Sequence, residues 1–234
     1  MRSEANPSYR SQQDIAMVKV KICGITNARD ARAAVRLGAD ALGFNFYPRS
    51  PRYVKKERAR AILAALPPFV TAVGVFVDED PDEVLAICDY VGMDTAQLHG
   101  GERPRVLQAL SRLKRIKAMS VQSERDIDRL PRYPAEAYLL DAFVPGVPGG
   151  TGKTFNWSLA RQALRHGPII LAGGLNPLNV AEAVRTVAPY AVDVASGVET
   201  EPGVKDRGMM EAFILRAKGV AFSGGAEQRS GNDQ

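Results

Sequence analysis

The sequence predicts an α/β protein in which eight strands, each followed by a helix, close into a single (β/α)8 barrel. Apolar stretches of strand length alternate with stretches of helical periodicity from residue 18 to residue 217. Strands that alternate with helices pair in parallel, and eight such units in about 205 residues suit a compact closed barrel. An open, doubly wound sheet is the rival arrangement. It would need a break in the sequence or an edge strand, and the sequence has neither.

The first predicted unit is a strand that ends at Cys23 and a helix over residues 28–37. Aliphatic residues alternate along the strand with Lys19, Lys21 and Cys23. This period of two places both lysines and the cysteine on one face of the strand. Gly38 follows the helix as its C-terminal stop.

The next three units repeat the pattern. Their strands are predicted at residues 39–47, 70–77 and 95–99, and their helices at residues 55–66, 80–91 and 104–113. The run at 70–77 is almost wholly apolar, which is typical of a strand buried on both faces. Pro81 lies near the first turn of its helix, where proline is tolerated. Cys88 falls on the apolar face of the same helix, so we interpret it as a core residue.

The last four units complete the series. Their strands are predicted at residues 116–121, 137–143, 168–172 and 191–195, and their helices at residues 124–130, 158–164, 177–187 and 206–217. A long uncharged loop rich in proline and glycine follows the sixth strand. After the eighth strand we expect a plain loop through Pro202 and Gly203.

The barrel domain is expected to span residues 17–219. Residues 1–16 are polar and lack periodicity, which predicts a disordered extension, and residues 220–234 predict a flexible tail. The sequence contains no apolar run of membrane-spanning length and no secretory signal. We therefore expect a cytoplasmic protein that does not bind a membrane.

The few cysteines and histidines argue against a disulfide framework or a zinc site. The chain has two of each, Cys23, Cys88, His99 and His166, and none forms a CxxC or HExxH spacing. We expect chemistry without a metal.

The net charge of +5 suits an anionic ligand, and six basic residues between positions 49 and 60 carry much of it. For most of these six, a solvated helix face is the simpler interpretation. Nucleic-acid binding through this segment is an alternative, but no aromatic-interleaved or zinc-finger pattern supports it.

In a (β/α)8 barrel, the active site lies where the strands end and the loops to the helices begin. Cys23 ends the first strand next to two lysines, and neighbouring ammonium groups lower the pKa of a thiol. The position therefore suits a base or a nucleophile. A small buried apolar side chain is the alternative interpretation of Cys23.

Other polar residues end the fourth, sixth and eighth strands. Asp141 follows an apolar stretch abruptly, and burial there would favour its protonated form, as a general acid requires. A carboxylate that caps the next loop is the alternative. Asp193 contacts either the substrate or one of the first-strand lysines, and His99 either donates to the ligand or closes a turn.

Two glycine-rich loops indicate a phosphate site. Gly173 and Gly174 follow the seventh strand, and Ser196 and Gly197 follow the eighth, so neighbouring loops expose backbone N–H groups without side chains in the way. The Gly-Gly-Thr-Gly-Lys-Thr segment at residues 149–154 is not a nucleotide P-loop, because the first glycine of that motif would fall at Val147.

Together these segments resemble the phosphoribosylanthranilate isomerase family, the cofactor-free (β/α)8 enzymes of tryptophan biosynthesis. The resemblance covers about residues 18–219 and rests on motifs in the family's order, at residues 21–26, 43–48, 50–53, 74–77, 97–100, 140–141, 149–155, 172–177 and 192–199. It implies an Amadori rearrangement of a phosphorylated sugar substrate without a cofactor.

The resemblance also implies roles for single residues. Cys23 would be the general base, Asp141 the general acid, and Arg52 a contact to the anthranilate carboxylate. The two glycine-rich loops would hold the phosphate. We expect a monomer or homodimer that binds this small molecule and no nucleic acid. Another phosphosugar barrel enzyme, such as indole-glycerol-phosphate synthase, is the nearer rival, but such enzymes usually rely on lysine and glutamate or on paired aspartates.

Overall fold

A computed structural model describes residues 17–141 and 157–219 and confirms the predicted barrel. Eight parallel strands close in sequence order, with β1 paired to both β2 and β8. The strands are β1 (Lys19–Cys23), β2 (Ala41–Asn45), β3 (Thr71–Phe76), β4 (Thr95–Leu98), β5 (Lys114–Ser120), β6 (Ala137–Asp141), β7 (Ile169–Ala172) and β8 (Ala191–Val194). The C-terminal ends of all eight strands therefore meet at one mouth.

A helix follows every strand. The α-helices are α1 (Ala28–Arg36), α2 (Lys56–Leu63), α3 (Pro81–Val91), α4 (Pro104–Ala109), α5 (Glu124–Ile127), α6 (Trp157–Ala163), α7 (Val180–Val187) and α8 (Arg207–Ala217). Asn27, Asp80 and Asp206 cap α1, α3 and α8 by accepting backbone N–H bonds at the first turn. Short 3₁₀ helices lie at Leu130–Arg132, Leu164–His166 and Ser196–Val198.

One prediction about the chain after β8 is wrong. Where a plain loop was expected, β9 (Glu199–Glu201) and β10 (Val204–Lys205) form an antiparallel hairpin around Pro202 and Gly203. The hairpin is held to the barrel mouth because the Thr26 hydroxyl donates to the Gly203 carbonyl at 2.6 Å. A hairpin this short lacks the run of alternating residues by which strands are predicted.

The side chains inside the barrel are of two kinds, apolar and polar. Small and aliphatic side chains fill part of it, namely Val73, Ile116, Ala118, Ala137, Leu139, Ile170, Ala172 and Ala191. Charged and polar side chains also point inward and are almost fully buried, among them Lys21, Gln97 and Asp193. Cys88 lies in the outer core between helices and strands, as predicted. The apolar interior thus supports a polar mouth.

Three predictions concern residues outside the described ranges: the extension at 1–16, the glycine-rich loop after β6 with its 149–154 segment, and the tail from 220. Within the described ranges, no helix has the length and apolar character needed to cross a membrane.

Candidate active site

Cys23 lies at the C-terminal end of β1 and is 9% exposed. Its neighbour across the strand pair is Gly43 of β2. A Cβ at position 43 would lie 2.7 Å from the Cys23 Sγ and 3.0 Å from the Lys21 Nζ. Glycine therefore leaves the space that the thiol and the ammonium share.

The environment of Cys23 raises the pKa of its thiol above the ordinary value, and burial is the main cause. The Asp193 carboxylate acts in the same direction, whereas the ammonium groups of Lys21 and Lys205 act against it. The expectation that neighbouring lysines lower this pKa is wrong for the net effect, because lost solvation outweighs their attraction. One predicted neighbour is also absent: Lys19 is half exposed and pairs with Asp40.

Lys21 and Asp193 form a buried ion pair inside the barrel. The Nζ lies 2.8 Å from Oδ1, and the side chains are 4% and 9% exposed. Burial alone would lower the pKa of the Lys21 ammonium, but the charges of Asp193 and Cys23 raise it above the ordinary value. Of the two open interpretations of Asp193, the structure shows the pairing with a first-strand lysine.

A second buried cluster surrounds Arg52, the predicted carboxylate contact. Its Nε and Nη2 donate to Glu199 at 2.9 and 2.6 Å, and Lys205 Nζ donates to the same carboxylate at 2.6 Å. Burial alone would raise the pKa of Glu199, yet the bonds from Arg52 and Lys205 hold it below its ordinary value. The Arg52 stem crosses Gly24, where a Cβ would meet its Cδ at 2.5 Å. The cluster thus fixes Arg52 beside Cys23.

Asp141 and His99 lie together at the ends of β6 and β4. His99 Nε2 is 3.4 Å from Asp141 Oδ2, and His99 Nδ1 is 2.9 Å from the Gln97 amide nitrogen. Both line a cavity of about 430 Å³ at the ends of β4, β5 and β6, which Lys117 and Tyr133 also line. The Asp141 side chain is 27% exposed, so it is more accessible than the predicted burial required.

The loop that carries His99 rests on a third buried ion pair. Lys117 Nζ lies 2.6 Å from Glu102 Oε2 and also donates to the Gly100 carbonyl at 2.7 Å. Glu102 Oε1 accepts the N–H groups of Gly100 and Asp78. Lys117 points outward from β5, so this pair lies beneath the loop and not in the mouth.

The two predicted phosphate loops lie against each other. Gly173 and Gly174 both have positive φ values, 77° and 67°. A Cβ on Gly197 would lie 2.0 Å from the Leu175 carbonyl oxygen, so the loop after β8 packs directly on the loop after β7. Ser196 is exposed beside this contact. The structure thus brings together the four residues that the sequence singled out.

Sequence reasoning missed Glu199, Lys205, Glu102 and Lys117 as parts of the site. Glu199 closes one of the quoted motifs, so a signal for it was present. Lys205 follows a short hairpin and Lys117 lies within a strand, and nothing in their local sequence indicates a buried partner.

A closed parallel barrel that gathers titratable side chains at the C-terminal ends of its strands is typical of a (β/α)8-barrel enzyme, since this face carries the active site in that class. The family model described as N-(5'phosphoribosyl)anthranilate (PRA) isomerase matches residues 20–216. The chain belongs to this family of isomerases of tryptophan biosynthesis.

Individual relatives agree over the barrel. N-(5'-phosphoribosyl)anthranilate isomerase from Geobacter sulfurreducens is 52% identical over 203 residues, covering 87% of this chain and 100% of the relative. The crystal structure of phosphoribosyl anthranilate isomerase from Thermotoga maritima has a TM-score of 0.83 at 48% identity, with 87% and 100% of the two chains covered.

Two further solved structures concern ligand and assembly. One isomerase, in complex with reduced 1-(o-carboxyphenylamino)-1-deoxyribulose 5-phosphate, has a TM-score of 0.79 at 46% identity. Another holds monomers generated from the dimeric Thermotoga maritima enzyme, with a TM-score of 0.78 at 45% identity. Each covers 87% of this chain and 100% of its own.

Proposed function

We propose that the chain converts N-(5-phosphoribosyl)anthranilate to 1-(2-carboxyphenylamino)-1-deoxyribulose 5-phosphate by an Amadori rearrangement, with Cys23 as general base and Asp141 as general acid. The observation that carries this proposal is the placement of a thiol and a carboxyl at the ends of β1 and β6, on non-adjacent strands of one mouth. The related isomerase that holds a reduced deoxyribulose phosphate supports the choice of substrate.

The reaction needs one proton donor and one proton acceptor. Asp141 in its acid form gives a proton to the ring oxygen as the bond from that oxygen to C1 breaks, which leaves a protonated Schiff base. Cys23 as thiolate takes the C2 proton, and the electron pair of that C–H bond forms the enolamine. Tautomerisation moves the 2-hydroxyl proton to C1 and gives the ketone. Each group is typically worth about 10² to 10⁴ in rate.

The partial exposure of Asp141 fits this role once the substrate is present. The partly exposed carboxyl is accessible to a substrate over the mouth, which is what proton transfer to the ring oxygen requires. His99, 3.4 Å from the Asp141 Oδ2, holds the carboxyl toward the cavity. His99 is also a predicted substrate contact, because it lines the same cavity.

We propose that Arg52 binds the anthranilate carboxylate and that the loops at Gly173, Gly174, Ser196 and Gly197 bind the phosphate. Arginine binds carboxylates through paired N–H groups, and its guanidinium has two such edges. The bonds to Glu199 use Nε and Nη2, which form one edge. The edge of Nη1 and Nη2 is the one we assign to the substrate.

The test is steady-state loss of anthranilate fluorescence from freshly made substrate, in buffer with a chelator. Cys23→Ser and Asp141→Asn are expected to lower kcat at least about 100-fold, and Arg52→Ala to raise KM more than it lowers kcat. Cys88→Ala, Asp128→Asn and Arg49→Ala are the matched controls. Near-wild-type kcat in a folded Cys23→Ser or Asp141→Asn variant contradicts the acid and base assignment.

We also propose that residues 17–219 form one domain and that the chain is a homodimer joined through the N-terminal face of the barrel. Phe69 at this face is 99% exposed and lies beside a cavity of about 510 Å³ that Tyr190 and Ile170 help to line. A large exposed apolar side chain next to a cavity that is lined by both apolar and charged side chains is typical of an interface. The dimeric Thermotoga maritima relative supports this assembly.

A further inference from the structure

The buried Lys21–Asp193 pair has no part in the reaction described above, yet it lies directly beside the proposed base. Two charged groups that are each less than 10% exposed lose much solvation, and pairing only offsets that cost. Replacing such a pair with apolar side chains is often neutral or stabilising. The pair is therefore expected to contribute little to the stability of the fold, which indicates another role.

The geometry gives Lys21 two partners at once. Its ammonium donates to Asp193 Oδ1 at 2.8 Å and also interacts with the Cys23 side chain, whose thiolate form it favours. The empty Cβ position of Gly43 lies 3.0 Å from Nζ and 2.7 Å from Sγ, so these two atoms face the same small space. A lysine ammonium has three N–H donors and serves both partners without a change of rotamer.

We propose that Lys21, held in place by Asp193, donates a hydrogen bond to the Cys23 thiolate and so makes that thiolate available as the base of the isomerisation. Asp193 is then a positioning residue and not a substrate contact. This inference rests on the proposed role of Cys23, but it concerns the thiol itself and is measurable without turnover.

The charged groups that face Cys23 from other elements fit this assignment. Arg52 of the loop after β2 and Lys205 of β10 interact with the thiol, but both are bound to Glu199, whose single charge offsets part of theirs. Asp193 of β8 disfavours the thiolate. Lys21 is the cation that lowers the pKa of the thiol most, so its removal leaves the effects of burial and Asp193, which raise that pKa, with less opposition.

The experiment is the rate of alkylation of Cys23 by iodoacetamide as a function of pH, with the modified residue identified by mass spectrometry. Only the thiolate reacts, so the rate follows its population. Cys88 does not interfere, because burial raises the pKa of its thiol to about 12. Wild type is compared with Lys21→Met, in which the side chain stays unbranched and is one atom shorter but loses its charge.

Lys21→Met alone leaves Asp193 buried without its partner, which threatens folding. The double variant Lys21→Met with Asp193→Asn removes both charges and is the safer test. Lys19→Met is the matched control, since Lys19 lies on the same strand face but pairs with Asp40.

In folded Lys21→Met we expect the alkylation profile to move to higher pH and the rate at pH 7 to fall about tenfold or more, the change that one pKa unit produces. In the double variant the shift has the same direction but is smaller, because the Asp193 charge that disfavours the thiolate is removed as well. The Lys19→Met profile should coincide with that of wild type. A folded Lys21→Met profile within about twofold of wild type at every pH, or a double-variant profile that does not move to higher pH, overturns the proposal.

The two proposals fail in different ways. If Cys23→Ser loses turnover but the double variant is alkylated like wild type, the assignment of Cys23 as general base is retained and the proposed role of Lys21 is wrong. If wild type does not turn over the substrate and the alkylation shift is still seen, the role of Lys21 stands and the proposed function is wrong.

Discussion

At the scale of single residues, the arrangement around Cys23 depends on a missing side chain. A Cβ at position 43 would lie 2.7 Å from Sγ and 3.1 Å from the Cys23 Cα, and the latter is a backbone atom that cannot move aside freely. The thiol must then turn away from Lys21 and from the substrate. Misplacing a reacting group by about 1 Å costs on the order of 100-fold in rate.

Gly43→Ala is therefore expected to lower kcat about 10- to 100-fold while the protein stays folded. The measurement is steady-state kinetics together with circular dichroism. Gly208→Ala is the matched control, because its Cβ would meet only the Asp206 carboxylate, at 3.4 Å, within α8. Equal kcat values for Gly43→Ala and wild type would show that the thiol position is not critical.

The sequence was informative about which residues reach the mouth but not about their partners. The period of two along the strands and the predicted strand ends together place Cys23 and Asp141 at the barrel mouth. Whether Lys19 or Lys21 meets Asp193 depends on the register between β1 and β8, which are 172 residues apart at the pair. Local pattern carries no information on such a register, so the two lysines were indistinguishable.

At the scale of elements, buried ion pairs fasten the loops that carry the site residues. Glu102 joins the loop after β4 to β5 through Lys117 and accepts two backbone N–H groups. Removing one partner of a buried pair leaves the other charge uncompensated, at a cost of about 3 to 5 kcal/mol. His99 lies in this loop, so its position depends on the same pair.

Glu102→Gln is expected to lower the free energy of unfolding by about 3 kcal/mol, measured by urea denaturation. Glu83→Gln is the control, because Glu83 is half exposed and 3.9 Å from Lys56, and such pairs contribute about 0 to 1 kcal/mol. A loss of stability in Glu102→Gln no larger than in the control would mean that the backbone bonds alone hold the loop.

The boundaries of several elements differ between the sequence-based prediction and the structure. The predicted strands at 39–47 and 70–77 are longer than β2 and β3, because the apolar pattern continues into buried residues such as Phe46, which directly follows the last residue of β2. The β9–β10 hairpin was missed because it is held by Thr26 and, through Glu199, by Arg52, which are both distant along the chain.

At the scale of the whole molecule, several carboxylates link stability to pH. The pKa values of Glu102 and Glu199 lie below their ordinary value because bonds from lysine and arginine outweigh burial, and Asp40, Asp94, Asp126 and Glu136 are lowered as well. A lowered folded-state pKa contributes stability that is present above the unfolded value, about 4, and is lost as pH falls through the folded value.

The urea midpoint is therefore expected to stay nearly level between about pH 6 and 7 and to fall below about pH 4.5. Glu102→Gln should show a shallower fall, since one group fewer takes up a proton on unfolding. The measurement is a set of urea titrations at stepped pH. Parallel curves for wild type and the variant would exclude Glu102 as a source of the acid sensitivity.

The N-terminal face of the barrel carries the last prediction. A twofold interface is self-complementary, so Phe69 of each copy would enter the cavity of the other. Alanine at that position removes the large apolar side chain that would fill the cavity, so apolar burial at the interface is lost. Phe69→Ala should therefore shift the sedimentation mass from about twice 25.3 kDa toward 25.3 kDa. Leu178→Ala, at an 87% exposed residue before α7, is the matched control and should stay dimeric. If wild type and both variants sediment alike, Phe69 does not join two copies, and its exposure has another cause.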